Sequence, residues 1–293
     1  MRRGIDHLVL CVRDLEAARQ TYETMGFTTT PRAVHPFGTG NFLVQLQGNF
    51  LELLAVLDAA KIPPMEPGRY SFAAFSEAFL EKRQGMSTLV LQSDDARRDL
   101  AEFAEKGLRT YEPVDFSRKA TLPDGSQVTV SFSLAFVSDE AMPEAGFFAC
   151  QHHHPPEYFW KPQFQTHANG ARRITEVFMV AGEPASAAGF YEHLYGPQNV
   201  AAADGALTVE TGQERITVLG PAGFAARFPG VDRADAPATP HFAGYRLVVA
   251  DLGAMKSLLS ERAVAFRKGA GSLWIAPEDA FGAVVEFAPE NGA

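Results

Sequence analysis

The chain has 293 residues, of which 46% are apolar and 21% are charged, and its formal net charge is −9. This composition is that of an ordinary globular protein with one large or two average domains. The negative charge and the scattered Lys and Arg residues disfavour nucleic-acid binding, and no run of about 20 apolar residues predicts a membrane span. Two cysteines are too few for a disulfide framework, and no signal-peptide pattern is present. We therefore expect a cytoplasmic protein.

Four segments of the chain repeat one order of predicted elements. Each begins with a β-type strand, continues into an amphipathic helix and then gives two or three further strands. The opening strands are predicted at residues 5–12, 87–93, 174–181 and 245–250. Because such a unit cannot cover its own sheet face, the units are expected to join in pairs. The sequence thus predicts an α+β fold of four modules, paired into two curved-sheet or open-barrel domains.

The halves of the chain are separated by a stretch rich in Pro, His and aromatic residues, 151–173. We predict a first domain over residues 1–160, built from modules one and two, and a second over residues 171–293. A second polar, Pro-rich stretch, 228–240, is predicted to connect modules three and four.

Several strings resemble glyoxalase-like proteins of the vicinal oxygen chelate superfamily. They are IDHLVL at 5–10, RDLE at 13–16, GTGNFLV at 38–44 and FLEL at 50–53. The strings PDG at 123–125, FFACQHH at 147–153 and HANGA at 167–171 resemble the subfamily with an extended second module. The resemblance covers residues 4–181, and residues 182–290 only in module shape. It implies βαβββ modules, metal ligands on the first and last strands of a module, and substrates that chelate the metal through neighbouring oxygens.

His7 and Glu52 occupy the ligand positions of the first module in this pattern. An imidazole and a carboxylate suit Zn, Fe, Mn, Ni or Co as a divalent cofactor. Glu52 lies in an apolar strand, where an unpaired charge costs several kcal/mol, so it requires a metal, a cation or water. Alternatively, His7 and Glu52 pair with each other or face solvent. Glu52 is also the predicted catalytic residue.

The second module departs from the glyoxalase pattern. Thr88 stands where a His is expected, and the closing strand leads into His152, His153 and His154. Strand alternation sends His152 and His154 to one face and His153 to the other. We predict His152 as the third metal ligand; the alternative is a loop of partly exposed histidines.

Other polar residues are predicted to bind substrate. Asn41 and Gln45 alternate on one predicted strand, and Thr88 lies on the opening strand of module two. Arg118 precedes the predicted turn at 123–125, and an Arg side chain can bind a carboxylate or enediolate with two hydrogen bonds. The alternative for Arg118 is a solvated surface position.

The second half lacks the expected ligands. The position of His7 is taken by Glu176 in module three and Arg246 in module four, and the closing strands offer Thr217 and Glu286. We predict an ion-pair network or a metal-free polar pocket here. The two histidines and one glutamate that extradiol dioxygenases carry in these modules are absent, which disfavours ring cleavage at that site.

Two functions are compatible with the sequence. The first is a metal-dependent isomerase or lyase acting on a small molecule with vicinal oxygens. The second is a metal-free protein that binds and sequesters a drug-like or aromatic small molecule, and a ligand-free scaffold is a third alternative. A small-molecule ligand is the expected partner in the first two, and the sequence leaves homodimerisation through the second half open.

Overall fold

The computed structural model describes residues 3–122, 125–231 and 237–290. Pro123 and Asp124 of the predicted turn, and residues 232–236 of the predicted connection, lie outside the described residues.

The first half forms a mixed sheet that joins modules one and two. Its described strands are β1 Ile5–Cys11, β2 Ala33–Val34, β3 Thr39–Gln45, β4 Phe50–Val56, β5 Gly85–Ser93, β6 Arg109–Thr110, β7 Val114–Thr121, β8 Gln127–Ser138 and β9 Gly146–His152. Their order is β2-β3-β4-β1-β5-β9-β8-β6, with β7 paired to β8. Within each module the opening strand is parallel to the closing strand, and the two opening strands, β1 and β5, pair antiparallel.

The second half repeats this arrangement. Its described strands are β10 Ala171–Val180, β11 Val200–Ala203, β12 Ala206–Glu210, β13 Arg215–Leu219, β14 His241–Val249, β15 Arg267–Lys268, β16 Leu273–Ile275 and β17 Val284–Pro289. Their order is β11-β12-β13-β10-β14-β17-β16-β15, and the two opening strands again pair antiparallel. The predicted α+β fold of four modules, paired into two curved sheets, is confirmed.

Helices follow the opening strands where an aspartate caps the first turn. The side chains of Asp14, Asp95 and Asp251 accept hydrogen bonds from backbone N–H groups that a helix start leaves unpaired. The described α-helices are α1 Leu15–Thr24, α2 Phe72–Lys82, α3 Ala96–Glu105, α4 Pro156–Phe159, α5 Ala188–Tyr195, α6 Pro221–Arg227 and α7 Leu252–Glu261. None of the helices in the described ranges has the length and apolar character needed to cross a membrane.

One apolar core is shared by both halves. It includes buried side chains from the helices and from one face of each sheet. Across the boundary, the hydroxyl oxygens of Tyr22 and Tyr245 lie 2.9 Å apart, and the rings of Phe147 and Phe190 pack at 4.6 Å between centroids. The opposite face of each sheet carries a separate apolar cluster. The candidate site lies beside the cluster of the first sheet.

The stretch between the halves packs closely against the first sheet. The Gln45 side chain donates to the carbonyl of Phe159 and accepts from the N–H of Lys161. His167 lies between the carbonyl of Gln45, 2.8 Å from Nε2, and the N–H of Thr28, 3.0 Å from Nδ1. These contacts hold the segment between the halves against the first sheet, beside the candidate site.

Candidate metal centre

A cavity of about 60 Å³ opens on the face of the first sheet that points away from the shared core. Seven phenylalanine side chains of the described residues line it, together with a small set of polar groups. The polar lining residues are His7, His35, Asn41, Glu52, Arg118, Cys150 and His152. The structure therefore brings five of the predicted site residues to one cavity, which has room for a few water molecules.

Asp6 and His7 meet because β1 is irregular at this point. The register with β5 shifts between Ile5 and His7, so Ile5 packs into the shared core while His7 faces the cavity. Asp6 Oδ1 lies 2.6 Å from His7 Nδ1. A buried carboxylate makes Nδ1 the protonated nitrogen and leaves Nε2 with a free lone pair. The His7 ring is also stacked on Phe50, with centroids 4.3 Å apart.

His7 Nε2 faces Glu52 across 3.6 Å. Both residues are 5% exposed, and they lie on β1 and β4, which are paired in parallel. Two ligand atoms bound about 2.0–2.2 Å from one tetrahedral metal lie about 3.3–3.6 Å apart. The separation and the chemistry of the two donors therefore fit a divalent metal held between His7 and Glu52.

The second oxygen of Glu52 is held by the polar residues of β3 and the turn before it. Asn41 Nδ2 donates to Glu52 Oε1 and also lies 3.3 Å from His35 Nε2. His35 Nδ1 in turn lies 2.8 Å from the Thr39 hydroxyl. Burial lowers the pKa of His35 to about 4, against the opposing effect of Glu52, so the imidazole is neutral at pH 7. Asn41 Oδ1 has no hydrogen-bond partner among the described residues and is available to a ligand.

His152 lies on the far side of Asp6. Its Nε2 is 3.4 Å from Asp6 Oδ2, and the ligand atoms of Asp6, Cys150 and His152 lie within 4.8 Å of one another. Over the described part of the chain, His7, Glu52 and His152 do not form such a set. His152 thus lines the same cavity as His7 and Glu52 but forms its compact group with Asp6 and Cys150, and its role as third ligand stays a prediction.

Asp6 connects these two groups electrostatically. Burial raises its pKa, but the interactions with His152 and His7 outweigh burial and bring the pKa down to about 2. The Cys150 thiol has the opposite balance: burial, with a further contribution from Asp6 and Glu52, raises its pKa well above 9. Asp6 is therefore ionised at neutral pH and Cys150 is a thiol.

The remaining predicted substrate contacts divide into two groups. Arg118, on β7, lines the cavity, and its guanidinium takes part in none of the side-chain hydrogen bonds and ion pairs found among the described residues. Gln45 and Thr88 are buried outside the cavity lining. Gln45 holds the segment after β9, and Thr88 lies at the close approach of β5 to Gly146.

The second half carries the predicted ion-pair network. Glu176 and Glu286 are buried and both pair with Arg246 and with Arg227, at 2.8–3.4 Å. Thr217 donates a hydrogen bond to Glu176 at 2.7 Å. This prediction is confirmed, and Arg227 of α6 is a member that the strand pattern could not indicate.

The glyoxalase-like domain family matches residues 5–195. The chain therefore belongs to this family, and its fold is that of the vicinal oxygen chelate superfamily. Comparison with curated protein sequences gives no match.

Several solved structures share the fold. A hypothetical protein from Staphylococcus aureus is similar with a TM-score of 0.68 at 14% identity, covering 97% of this chain and 98% of that one. A mutant of 4-hydroxymandelate synthase from Streptomyces coelicolor is similar with a TM-score of 0.63 at 17% identity, covering 100% of this chain and 94% of that one. Homoprotocatechuate 2,3-dioxygenase from Arthrobacter globiformis is similar at 0.54 and 12%, covering 98% and 79%. At these identities the likeness establishes the fold alone.

Proposed function

We propose that the chain binds a divalent transition metal at His7 and Glu52 and acts as an isomerase or lyase on a small molecule with vicinal oxygens. The observation that carries the proposal is the orientation of His7: Asp6 holds Nδ1, and Nε2 faces Glu52 at 3.6 Å. A histidine that donates its other N–H to a carboxylate is the usual arrangement of a metal-bound imidazole. The fold hosts many reactions, so the assignment rests on these side chains.

Asp6, Asn41 and Glu52 have distinct roles in this proposal. A divalent metal bound there would supply Lewis-acid polarisation of the substrate oxygens. Asp6 fixes the tautomer of His7, and Asn41 orients Glu52 by donating to Oε1. Glu52 is the residue we propose to move a proton, because it is the only carboxylate among the described residues that line the cavity. The phenylalanine rings exclude bulk water from the reacting atoms.

A second function is favoured by the departure of β5 from the metal pattern. Thr88, which stands where the resemblance places a histidine, is buried outside the cavity lining, so it offers no further ligand there. Together with the phenylalanine lining, this supports a metal-free protein that sequesters an aromatic or drug-like molecule. Binding that persists in the presence of a chelator would support this second function.

Elemental analysis of protein purified without a histidine tag tests the proposed metal function. We expect about one transition metal per chain in the wild type and its loss in His7→Ala. The control is His193→Ala, which removes an exposed imidazole of α5 in the second half. Circular dichroism of both variants establishes that they are folded. Metal absent from the wild type, or retained in His7→Ala, would contradict the proposal.

A further inference from the structure

A second cavity of about 330 Å³ lies beside the metal-centre cavity. We call it the outer chamber. The two cavities share Asn41, Leu43, Arg118 and Phe159, so they adjoin at these residues. The inner cavity holds only a few waters, whereas the outer chamber is large enough for a small organic molecule.

The outer chamber has an unusual charge for this protein. The described residues of its lining include four cations, Arg32, Arg118, Lys119 and Lys161, and no Asp or Glu. The chain as a whole carries a net charge of −9. None of the ion pairs within the described ranges involves these four side chains. Lys119 donates to the Thr129 hydroxyl and Lys161 to the Glu157 carbonyl, neither of which neutralises the charge.

Arg118 stands at the junction of the two cavities. Its guanidinium is partly buried, lines both spaces and has no hydrogen-bond or ion-pair partner among the described residues. A partly desolvated cation without a partner is costly, and an incoming anion removes much of that cost. The planar guanidinium also matches carboxylate and phosphate oxygens with two parallel hydrogen bonds.

We infer that the ligand is a small organic anion that lies in the outer chamber, with its charged group beside Arg118 and its other end directed toward the inner cavity that holds His7 and Glu52. This inference rests on the proposed function for the position of the reacting end. The preference for an anion depends only on the cations of the outer chamber.

Calorimetric titration with matched probes tests the inference on the full chain. The probes are phenylacetate, the neutral phenylacetamide of similar shape, and phenyl phosphate. We expect the wild type to bind an anionic probe about tenfold or more tightly than the amide, because a charged hydrogen-bonded pair is lost with the amide. The ratio of phenylacetate to phenyl phosphate affinity distinguishes a carboxylate ligand from a phosphate ligand.

The variants Arg118→Gln and Lys256→Gln complete the experiment. Both remove one positive charge, but Lys256 is exposed on α7 in the second half. We expect Arg118→Gln to abolish the preference for the anion and Lys256→Gln to retain it. If Arg118→Gln does not fold, Arg118→Lys is the substitute. Lysine keeps the positive charge but cannot make two parallel hydrogen bonds to one anionic group, so we expect a reduced preference for the anionic probes.

Equal affinity of the wild type for anionic and neutral probes would overturn the inference, as would a preference that survives in Arg118→Gln or no binding of any probe. Metal analysis of the same samples separates this result from the proposed function. An anion preference in metal-free protein leaves the inference standing while the metal function fails. If metal is bound but the anionic probes are not preferred, the metal function stands and the inference of an anionic ligand fails.

Discussion

Asp6 and His7 are consecutive in the chain, yet Asp6 Oδ1 lies 2.6 Å from His7 Nδ1. In a regular strand, neighbouring side chains point to opposite faces. The register shift in β1 between Ile5 and His7 removes this alternation at one position. As a result, Asp6 supports His7 from behind while His7 faces Glu52.

Substitution of Asp6 tests whether this support matters for metal binding. We expect Asp6→Asn to weaken metal affinity by about 10–100-fold, because a neutral amide holds His7 Nδ1–H less firmly than the carboxylate and so orients the ring less well. Titration against a competing chelator measures the affinity. Asp94→Asn is the matched control, since Asp94 is exposed at the end of β5. Equal affinities in Asp6→Asn and the wild type would show that Asp6 has no such role.

Asn41 is expected to contribute to stability through its hydrogen bond to the buried Glu52. In metal-free protein, we predict that Asn41→Leu lowers the free energy of unfolding by about 1–3 kcal/mol, because the buried carboxylate loses a hydrogen-bond donor. Urea unfolding in the presence of a chelator measures the change. Gln20→Leu, at an exposed position of α1, should stay within about 0.5 kcal/mol. Comparable losses in the two variants would argue against a specific contribution from Asn41.

The ion-pair network of the second half is expected to serve stability rather than metal binding. Glu176→Gln leaves Arg227 and Arg246 with Glu286 as their remaining carboxylate partner in this network, and we expect a loss of about 3 kcal/mol. Glu210→Gln breaks an exposed pair with Arg215 and should cost less than about 1 kcal/mol. Denaturant unfolding gives both values, and metal content should be unchanged in both variants. Metal lost from Glu176→Gln would indicate a second site.

We predict that burial of His167 lowers the free energy of unfolding of the protein on acidification. Burial lowers its pKa below 6.5, and Nδ1 accepts from the N–H of Thr28, so the folded form disfavours the protonated ring. Below pH 6.5 the unfolded chain therefore binds the proton more readily, and the free energy of unfolding falls as the pH decreases. His154, whose pKa burial lowers to about 4, acts in the same direction.

The contribution of His167 to this pH dependence is measured by comparing His167→Gln with the wild type. We expect the free energy of unfolding of His167→Gln to depend less on pH below 6.5 than that of the wild type. His193→Gln, at an exposed position, should follow the wild type. Thermal unfolding over a series of pH values makes the comparison. Parallel curves for wild type and His167→Gln would refute the assignment.

The repeating strand–helix rhythm was sufficient to predict the four modules, since apolar periodicity is a local property of the chain. That His7 and Glu52 face each other was also predictable, because the resemblance places ligands on the first and last strands of a module; their role as ligands stays a prediction. The position of Asp6 depends on a register shift between β1 and β5, which strand alternation does not contain. His35 and Arg227 lie in a turn and in α6, away from the strand positions on which the pattern depends.

His152 shows the same limit from another side. Its place at the end of β9 is consistent with the predicted closing strand. Its nearest charged partner, however, is Asp6 rather than Glu52, which follows from how β9 and β1 flank β5 in the sheet. Long-range strand order decided which histidine faces which carboxylate, and a single sequence does not specify it.

The most direct test of the metal centre is a crystal structure with anomalous diffraction collected at the absorption edge of the metal found by elemental analysis. We predict an anomalous peak about 2.0–2.2 Å from both His7 Nε2 and Glu52 Oε2. A peak between Asp6, Cys150 and His152 would contradict the assignment of His7 and Glu52 as the ligands. The absence of a peak beside His7, in crystals of protein that carries one metal per chain, would contradict it as well.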